Sequence, residues 1–131
     1  GDAPSGPGFF VPPTVFTGGN DLRIAREEIF GPVLSILPYD SEEEVVATAN
    51  DTVYGLASYI QTKDLEKARR IAARILTGNV YINYPAWDAG LPFGGYKQSG
   101  IGRETHKMML DHYQETKNML VSYSPKKLGF F

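Results

Sequence analysis

Two residues near the end of a short predicted helix, Glu28 and Phe30, carry the clearest indication of chemistry in the sequence. A carboxylate at the carboxyl end of a helix lies at the negative end of the helix dipole, which a purely structural sequence avoids. A carboxylate accepts two hydrogen bonds from vicinal hydroxyls, and an aromatic ring covers a flat heterocycle. The pair is therefore a candidate clamp for a sugar and a ring. The alternative is a plain surface glutamate and a core phenylalanine.

A glycine-rich segment, Gly94–Arg103, invites interpretation as a phosphate-binding loop. It lacks Gly-Lys-Ser/Thr at the required spacing, and Gly100-x-Gly102 lacks the third glycine of the dinucleotide-binding fingerprint. The pattern favours the other interpretation, a tight connection in which glycine lets backbone segments pack closely.

Other polar groups do not predict a metal site or a catalytic site. His106 and His112 are separated by about 240° around a predicted helix, so they do not converge on one ion. The acidic run Glu42–Glu44 suits the first turn of a helix, where negative charge is favourable. The chain has 0 cysteines, which excludes disulfides, thiolate metal sites and a thiol nucleophile within it.

Composition narrows the class of protein. The 131 residues fit one domain, and a net charge of -2 argues against nucleic acid or an anionic membrane surface as partner. The short apolar runs predict no membrane-spanning segment. The absence of cysteine fits a reducing compartment, and we expect a cytoplasmic protein. The chain begins with Gly1 rather than methionine, as a cleavage product or a piece of something longer would.

Hydrophobic periodicity predicts alternating strands and helices, and hence an α/β fold with a mostly parallel sheet and flanking helices. Ser41 and Glu44 form a capping box for one helix, with Val45, Val46 and Ala49 facing inward. The predicted strands are 14–16, 33–39, 57–61, 79–83 and 116–123, and the predicted helices are 22–28, 41–50, 64–76 and 103–113. Residues 1–8 are predicted to form a flexible start and 124–131 a tail, and the loop 84–102 is long enough to be functional.

Four motifs occur in order, at Phe10–Phe16, Glu27–Val33, Asn50–Leu56 and Pro92–Glu104. Together they resemble the C-terminal third of NAD(P)-dependent aldehyde dehydrogenases, and the resemblance runs from about Phe9 to Val121. It implies that 9–115 is the C-terminal part of that family's catalytic domain and that 116–123 is a strand that pairs across subunits in a dimer or tetramer. The loop after Asn83 is about one residue shorter than in some members of the family.

The resemblance implies roles for individual residues. Glu28 would hold the hydroxyls of the nicotinamide ribose, and Phe30 would pack near the nicotinamide. Phe93 matches an aromatic residue of the substrate funnel, and Trp87 and Asp88 belong to the variable stretch at its mouth. In the family a cysteine attacks the aldehyde to form a thiohemiacetal, hydride passes to the nicotinamide, and a glutamate-activated water hydrolyses the thioester.

The family's cysteine, general-base glutamate and cofactor-binding domain precede the segment that this chain resembles. We therefore expect a fragment of an aldehyde-oxidising enzyme that uses NAD or NADP when intact, with no catalytic residue of its own and no cofactor bound by the chain alone. Its expected partners are copies of itself and, in the intact enzyme, an aldehyde. The alternative function is a non-catalytic assembly or partner-binding module derived from the same family.

Overall fold

The computed structural model describes residues 2–3, 5–124, 126 and 129. The predicted tail 124–131 lies outside these residues except at Ser124, Lys126 and Gly129, and Gly1 and Pro4 of the predicted start lie outside them too. The elements in chain order are β1 (Thr14–Thr17), α1 (Arg23–Arg26), β2 (Val33–Ile36), α2 (Glu42–Asn50), β3 (Ala57–Ile60), α3 (Leu65–Ala72) and β4 (Asn79–Ile82). Two 3-10 helices follow, Lys97–Ser99 and Lys107–Tyr113.

The strands form two parallel pairs, each joined through a helix. β1 pairs with β2 in the register Thr14 to Val33, and β3 pairs with β4 in the register Ala57 to Asn79. The α/β class with parallel strands is thus confirmed. The pairs are separate two-stranded sheets rather than one larger sheet. Alternation of strands and helices predicts a parallel neighbour across each crossover but does not determine whether two crossovers share a sheet.

Local capping determines where the two longer helices begin. The Ser41 hydroxyl accepts a hydrogen bond from the Glu44 N–H at 3.1 Å, so the predicted N-terminal cap is confirmed. The Glu44 carboxylate reaches back as predicted, but it accepts the N–H of Asp40 at 2.8 Å, one residue before the cap. The Asp64 carboxylate accepts the Lys67 N–H at 2.9 Å and caps α3 in the same way. The last helical residue of α3 is Ala72, and turns replace the final helical turn predicted up to Leu76.

The core lies between α2, α3 and β3. Val46, Ile71 and Ile75 form a buried cluster, with Val45 and Ile60 packed against it. Ala68 of α3 is fully buried and Ile71 is buried, but Ala49 of α2 is exposed, contrary to the prediction that it faces inward. In α2 the cluster is contacted by Val45 and Val46, while Asn50 in the last helical turn binds the Arg74 carbonyl and the Leu76 N–H, at 2.8 and 2.7 Å.

The structure differs from the predictions after Gly102. Residues 103–113 do not form an α-helix, because Glu104 pairs with Phe93 in an antiparallel bridge and Thr105 and His106 take left-handed backbone angles of 57° and 51°. Such angles interrupt a right-handed helix, so only the 3-10 helix Lys107–Tyr113 remains.

The segment 116–123, predicted as a strand, has no ladder partner among the described residues, and 114–122 have no regular secondary structure. Its apolar side chains are exposed, including Met119, Leu120, Val121 and Tyr123. A strand needs a neighbour for its backbone groups, and the predicted neighbour is another subunit, so pairing through this segment stays a prediction. Across the described part of the chain, no helix has the length and apolar character needed to cross a membrane.

Candidate active site

Glu28 and Phe30 lie on the loop between α1 and β2. Glu27 directly follows α1; its N–H donates to the Arg23 carbonyl at 2.9 Å, and its carboxylate accepts from Arg23 at 2.8 Å. The hydrogen bond from Arg23 also lowers the pKa of the Glu27 carboxyl. Pro32 attaches the far end of the loop to β1, since its carbonyl accepts the Thr14 N–H at 2.9 Å.

The loop presents its two candidate residues outward. Glu28 is exposed, and the ring of Phe30 is 92% exposed. The Phe30 backbone has a φ of 55°, a left-handed value that is rare for a bulky residue and is often retained where a side chain serves a site. The alternative of a core phenylalanine is therefore wrong for the described structure. An exposed carboxylate and an exposed aromatic face are the groups that a ribose diol and a flat ring require, and the assignment of these residues to the cofactor stays a prediction.

A depression beside β4 brings together the three residues proposed for substrate contacts. It has a volume of about 340 Å³ and is lined mostly by apolar side chains, with Trp87, Asp88 and Phe93 among them. Trp87 is 69% exposed, so one face of the depression is open. Asp88 accepts the Gly90 N–H at 2.7 Å, which shows that its carboxylate also shapes the loop.

Hydrogen bonds from both sides hold Phe93 in place. The Phe93 N–H donates to the Glu104 carbonyl at 2.9 Å, and the Glu104 N–H donates to the Phe93 carbonyl at 2.7 Å. The Thr105 hydroxyl donates to the Leu91 carbonyl at 2.5 Å. The Asn79 amide donates to the carbonyls of Leu56 and Gly94, at 2.9 and 2.8 Å, and so ties β4 to the segment after Phe93.

Sequence reasoning missed these supporting residues. Asn79 and Thr105 have no spacing signal, because their partners are backbone carbonyls at distant or irregular positions. Gly78 lies directly before β4. In the structure a Cβ at Gly78 would lie 1.8 Å from the Gly94 carbonyl oxygen, so glycine is needed there for close backbone approach.

The glycine-rich segment is a tight connection and not a phosphate loop. The Tyr96 and Gln98 N–H groups donate to the carbonyls of Gly55 and Val53, at 2.8 and 2.9 Å, and are therefore not free to bind an anion. The Arg103 guanidinium donates to the Gly95 carbonyl at 3.0 Å and lies 5.5 Å from the centre of the Tyr96 ring. These contacts support the packing interpretation of the glycines.

Both histidines take part in local hydrogen bonds. His112 accepts the Arg103 N–H through Nε2 at 3.1 Å, and His106 accepts the Met108 N–H through Nδ1 at 3.4 Å. In the part of the chain that the structure describes, no group of three or more His, Asp or Glu side chains is placed to hold a metal ion. Both histidines are exposed, and each has a local hydrogen-bonding role.

The candidate site is divided between the two strand pairs. Trp87, Asp88 and Phe93 meet beside β4, whereas neither Glu28 nor Phe30 lines that depression. A second, larger depression of about 620 Å³ has Phe93, Arg103 and His112 in its lining, and sequence reasoning did not anticipate it. Phe93 lines both depressions and therefore lies on the wall between them.

Comparison with known proteins gives a consistent result. A family model described as "Aldehyde dehydrogenase family" matches residues 1–119. The chain is 58% identical over 125 residues to acetaldehyde dehydrogenase 2 of Cupriavidus necator, and 57% identical over 125 residues to an aldehyde dehydrogenase of Paracoccus denitrificans. Each match covers 95% of this chain and 25% of the relative, so the chain spans about a quarter of the length of these curated relatives.

Solved structures agree in fold. The crystal structure of Mycobacterium tuberculosis aldehyde dehydrogenase complexed with NAD+ has a TM-score of 0.83 and 50% identity, over 92% of this chain and 25% of that one. Aldehyde dehydrogenase C of Pseudomonas syringae, with NAD+ and octanal, has a TM-score of 0.80 and 55% identity over 84% of this chain and 23% of that one. With sequence, motifs and backbone in agreement, the chain belongs to the aldehyde dehydrogenase family.

Proposed function

We propose that this chain contributes cofactor and substrate contacts to an enzyme that oxidises aldehydes to carboxylic acids with NAD+ or NADP+. The observation that carries the proposal is the family match over residues 1–119, at 57–58% identity to the two curated relatives. The NAD+ and octanal named for the related structures indicate the ligand classes.

Glu28 and Phe30 would hold the nicotinamide riboside. When bound, the nicotinamide supplies the acceptor for the hydride that leaves the substrate carbon. The exposed Glu28 carboxylate accepts hydrogen bonds from the two ribose hydroxyls, and the outward-facing ring of Phe30 packs against the flat heterocycle. Because Glu28 and Phe30 lie on one short loop, the position of that loop would determine the orientation of the nicotinamide ring.

Phe93, Trp87 and Asp88 would contact the aldehyde. Their depression is mainly apolar, which suits the hydrocarbon part of a substrate. Phe93 is the most firmly held of the three because of its bridge to Glu104. Trp87 and Asp88 lie on the more open side, where they would select among aldehydes of different size.

The nucleophile would come from outside these residues. The chain contains 0 cysteines, and the thiohemiacetal mechanism requires a thiolate at the aldehyde carbon. We propose that the chain alone is inactive and binds the cofactor weakly, since Glu28 and Phe30 supply contacts for only one end of it. Assembly into a dimer or tetramer through 116–123, in the cytoplasm, completes the proposal.

Expression from the complete open reading frame tests this function. The product should reduce NAD+ or NADP+ when an aliphatic or aromatic aldehyde is added, measured by absorbance of the reduced cofactor. The 131-residue chain alone is the matched control and should show no reduction. Absence of aldehyde-dependent reduction by the complete product, with all of these cofactors and aldehydes, would contradict the proposal.

A second candidate is a non-catalytic assembly module. It is favoured by the lack of cysteine together with the exposed apolar side chains at Met119, Leu120 and Val121. A start codon directly before this segment would support it, and a frame that continues through a cysteine-containing segment would oppose it. Sedimentation of the product should show a dimer or larger species under either function, and a monodisperse monomer would contradict pairing through 116–123.

A further inference from the structure

We propose that Asp51 is a positioning residue that couples the loop carrying Glu28 and Phe30 to the segment carrying Phe93. The inference depends on the proposed function, because it concerns the orientation of the loop assigned to the cofactor. Asp51 belongs to the motif Asn50–Leu56 and follows the last residue of α2.

On one side, Asp51 binds the helix that precedes the loop. Arg26 donates to both carboxylate oxygens of Asp51, from Nη1 at 2.6 Å and from Nη2 at 3.1 Å. The Asn20 amide donates to the same carboxylate at 2.8 Å. A two-pronged contact between planar groups fixes orientation as well as distance, and Arg26 is only two residues from Glu28.

The helix that carries Arg26 has little else to hold it. α1 comprises four residues, none of them buried. The Arg23–Glu27 ion pair joins α1 to its own end, and the Ser35 hydroxyl donates to the Ile24 carbonyl within the β1–β2 unit. Among the hydrogen bonds of the described residues, the contact of Arg26 with Asp51 is the one that ties α1 to α2.

On the other side, the turn around Asp51 binds the segment after Phe93. The Lys97 ammonium donates to the carbonyls of Asn50 and Thr52, at 2.8 and 2.9 Å, and these residues flank Asp51. Lys97 adopts a φ of 55°, and its two side-chain contacts help to retain that unfavourable angle. The Ser99 hydroxyl accepts the Gly55 N–H at 3.0 Å and gives the turn a second attachment.

Neighbouring positive charges keep Asp51 ionised, which is the form that accepts both hydrogen bonds from Arg26. The hydrogen bond from Arg26 lowers the pKa of the Asp51 carboxyl, and nearby Lys97 acts in the same direction. The side chains of Arg26 and Asp51 are 41% and 58% exposed, so water screens their attraction and the pair adds little to stability. The contact therefore matters for geometry, and its loss changes ligand affinity more than it changes folding.

The test uses the product of the complete open reading frame and a double-mutant cycle on NAD+ binding. Asp51→Asn loses the two-pronged contact and should raise the NAD+ dissociation constant by about fivefold, measured by calorimetric titration. Because Asp51 orients the loop on which Glu28 lies, Asp51→Asn should weaken NAD+ binding by a smaller factor in the Glu28→Gln background than in the wild type. Affinity for AMP, which lacks the nicotinamide riboside, should stay unchanged in each variant.

Arg69→Gln is the matched control, because it breaks an exposed ion pair with Glu66 on α3 that has no link to the loop. It should leave NAD+ affinity unchanged. Multiplicative effects in the cycle, an equal loss of AMP affinity, or an unchanged NAD+ affinity for Asp51→Asn would each overturn the role of Asp51. A wild type that binds NAD+ but oxidises no aldehyde contradicts the proposed function alone. In that case the double-mutant cycle still tests the role of Asp51. A wild type that does not bind NAD+ overturns both.

Discussion

Replacing Gly78 by alanine should displace the backbone beside Phe93. Gly78 precedes β4, and an added Cβ there would lie 1.8 Å from the Gly94 carbonyl oxygen, 2.7 Å from the Gly94 carbonyl carbon and 3.1 Å from the Gly95 Cα. All three atoms are backbone, so rotation of a side chain cannot relieve the overlap. An ordinary contact begins at 3.4 Å, and the Gly94–Gly95 segment must therefore move by roughly 1.5 Å.

The loss of stability and of turnover depends on the neighbours of the Gly94–Gly95 segment. The Gly94 carbonyl accepts the Asn79 amide at 2.8 Å, and Phe93 comes directly before it. Overpacking of this kind costs about 3 kcal/mol of unfolding free energy when the backbone must move. A shift of this length at the substrate wall should also lower aldehyde turnover by about a hundredfold.

Urea unfolding and steady-state kinetics of the complete gene product measure the two effects. Gly102→Ala is the control within the same motif, because its Cβ would meet only His112 atoms at 3.6 and 3.7 Å, which are ordinary contacts. It should cost less than about 1 kcal/mol. Equal stability and equal turnover in Gly78→Ala and Gly102→Ala would refute the close-approach argument.

Three further predictions concern the α2–α3 core and its ends. Ile71→Ala should lower the unfolding free energy by about 2 to 3 kcal/mol in urea titration, because it leaves a cavity in the buried cluster, and an unchanged midpoint would contradict this. Ser41→Ala should cost about 1 kcal/mol through loss of the α2 cap, and Ser41→Asp should restore it. The hydrogen bond from Arg70 holds the pKa of the Glu42 carboxyl below its ordinary value of 4.5, so its stabilising contribution is complete above that pH and is lost as the pH falls further. Unfolding measured against pH should therefore show less acid destabilisation for Glu42→Gln than for the wild type.

The strands and the longer helices could be predicted because their causes are local. Ser41 with Glu44 identifies the start of α2, and the two buried residues of α3, Ala68 and Ile71, are three positions apart and so lie on one helix face. The boundaries of β3 and β4 fall within one residue of the predicted ends, at Ile60 and Ile82. These features depend on interactions between residues a few positions apart, and such interactions can be recognised in a single sequence.

The segment after Gly102 could not be predicted because its conformation depends on distant partners. The apolar spacing of 103–113 suits a helix, but Glu104 pairs with Phe93, and the His106 N–H donates to the Ala89 carbonyl at 3.2 Å. Both partners lie in a loop with no periodic signal. Tertiary hydrogen bonds therefore override the local preference for a helix.

The candidate site residues differ in the kind of sequence signal that makes them candidates. The sequence predicts a helix that reaches Glu28, where a carboxylate has an electrostatic cost, but α1 ends at Arg26, so Glu28 lies on the following loop and that argument for it is wrong. Trp87 and Phe93 came only from the family resemblance, because an aromatic residue in a loop has no distinctive spacing. The supporting residues Asn79 and Asp51 were missed, since their roles appear only when the hydrogen bonds to Gly94 and Arg26 are known.

The central claim is that the α1–β2 loop contacts the cofactor and the depression beside β4 contacts the aldehyde. The Michaelis constants for NAD+ and for the aldehyde test this claim most directly. In the product of the complete open reading frame, Glu28→Gln should raise the Michaelis constant for NAD+ and leave that for the aldehyde unchanged. Trp87→Ala should do the reverse, and both side chains are exposed, so neither change should disturb folding. If both variants change both constants equally, or if the pattern is inverted, the assignment of the α1–β2 loop to the cofactor and of the depression beside β4 to the aldehyde is wrong.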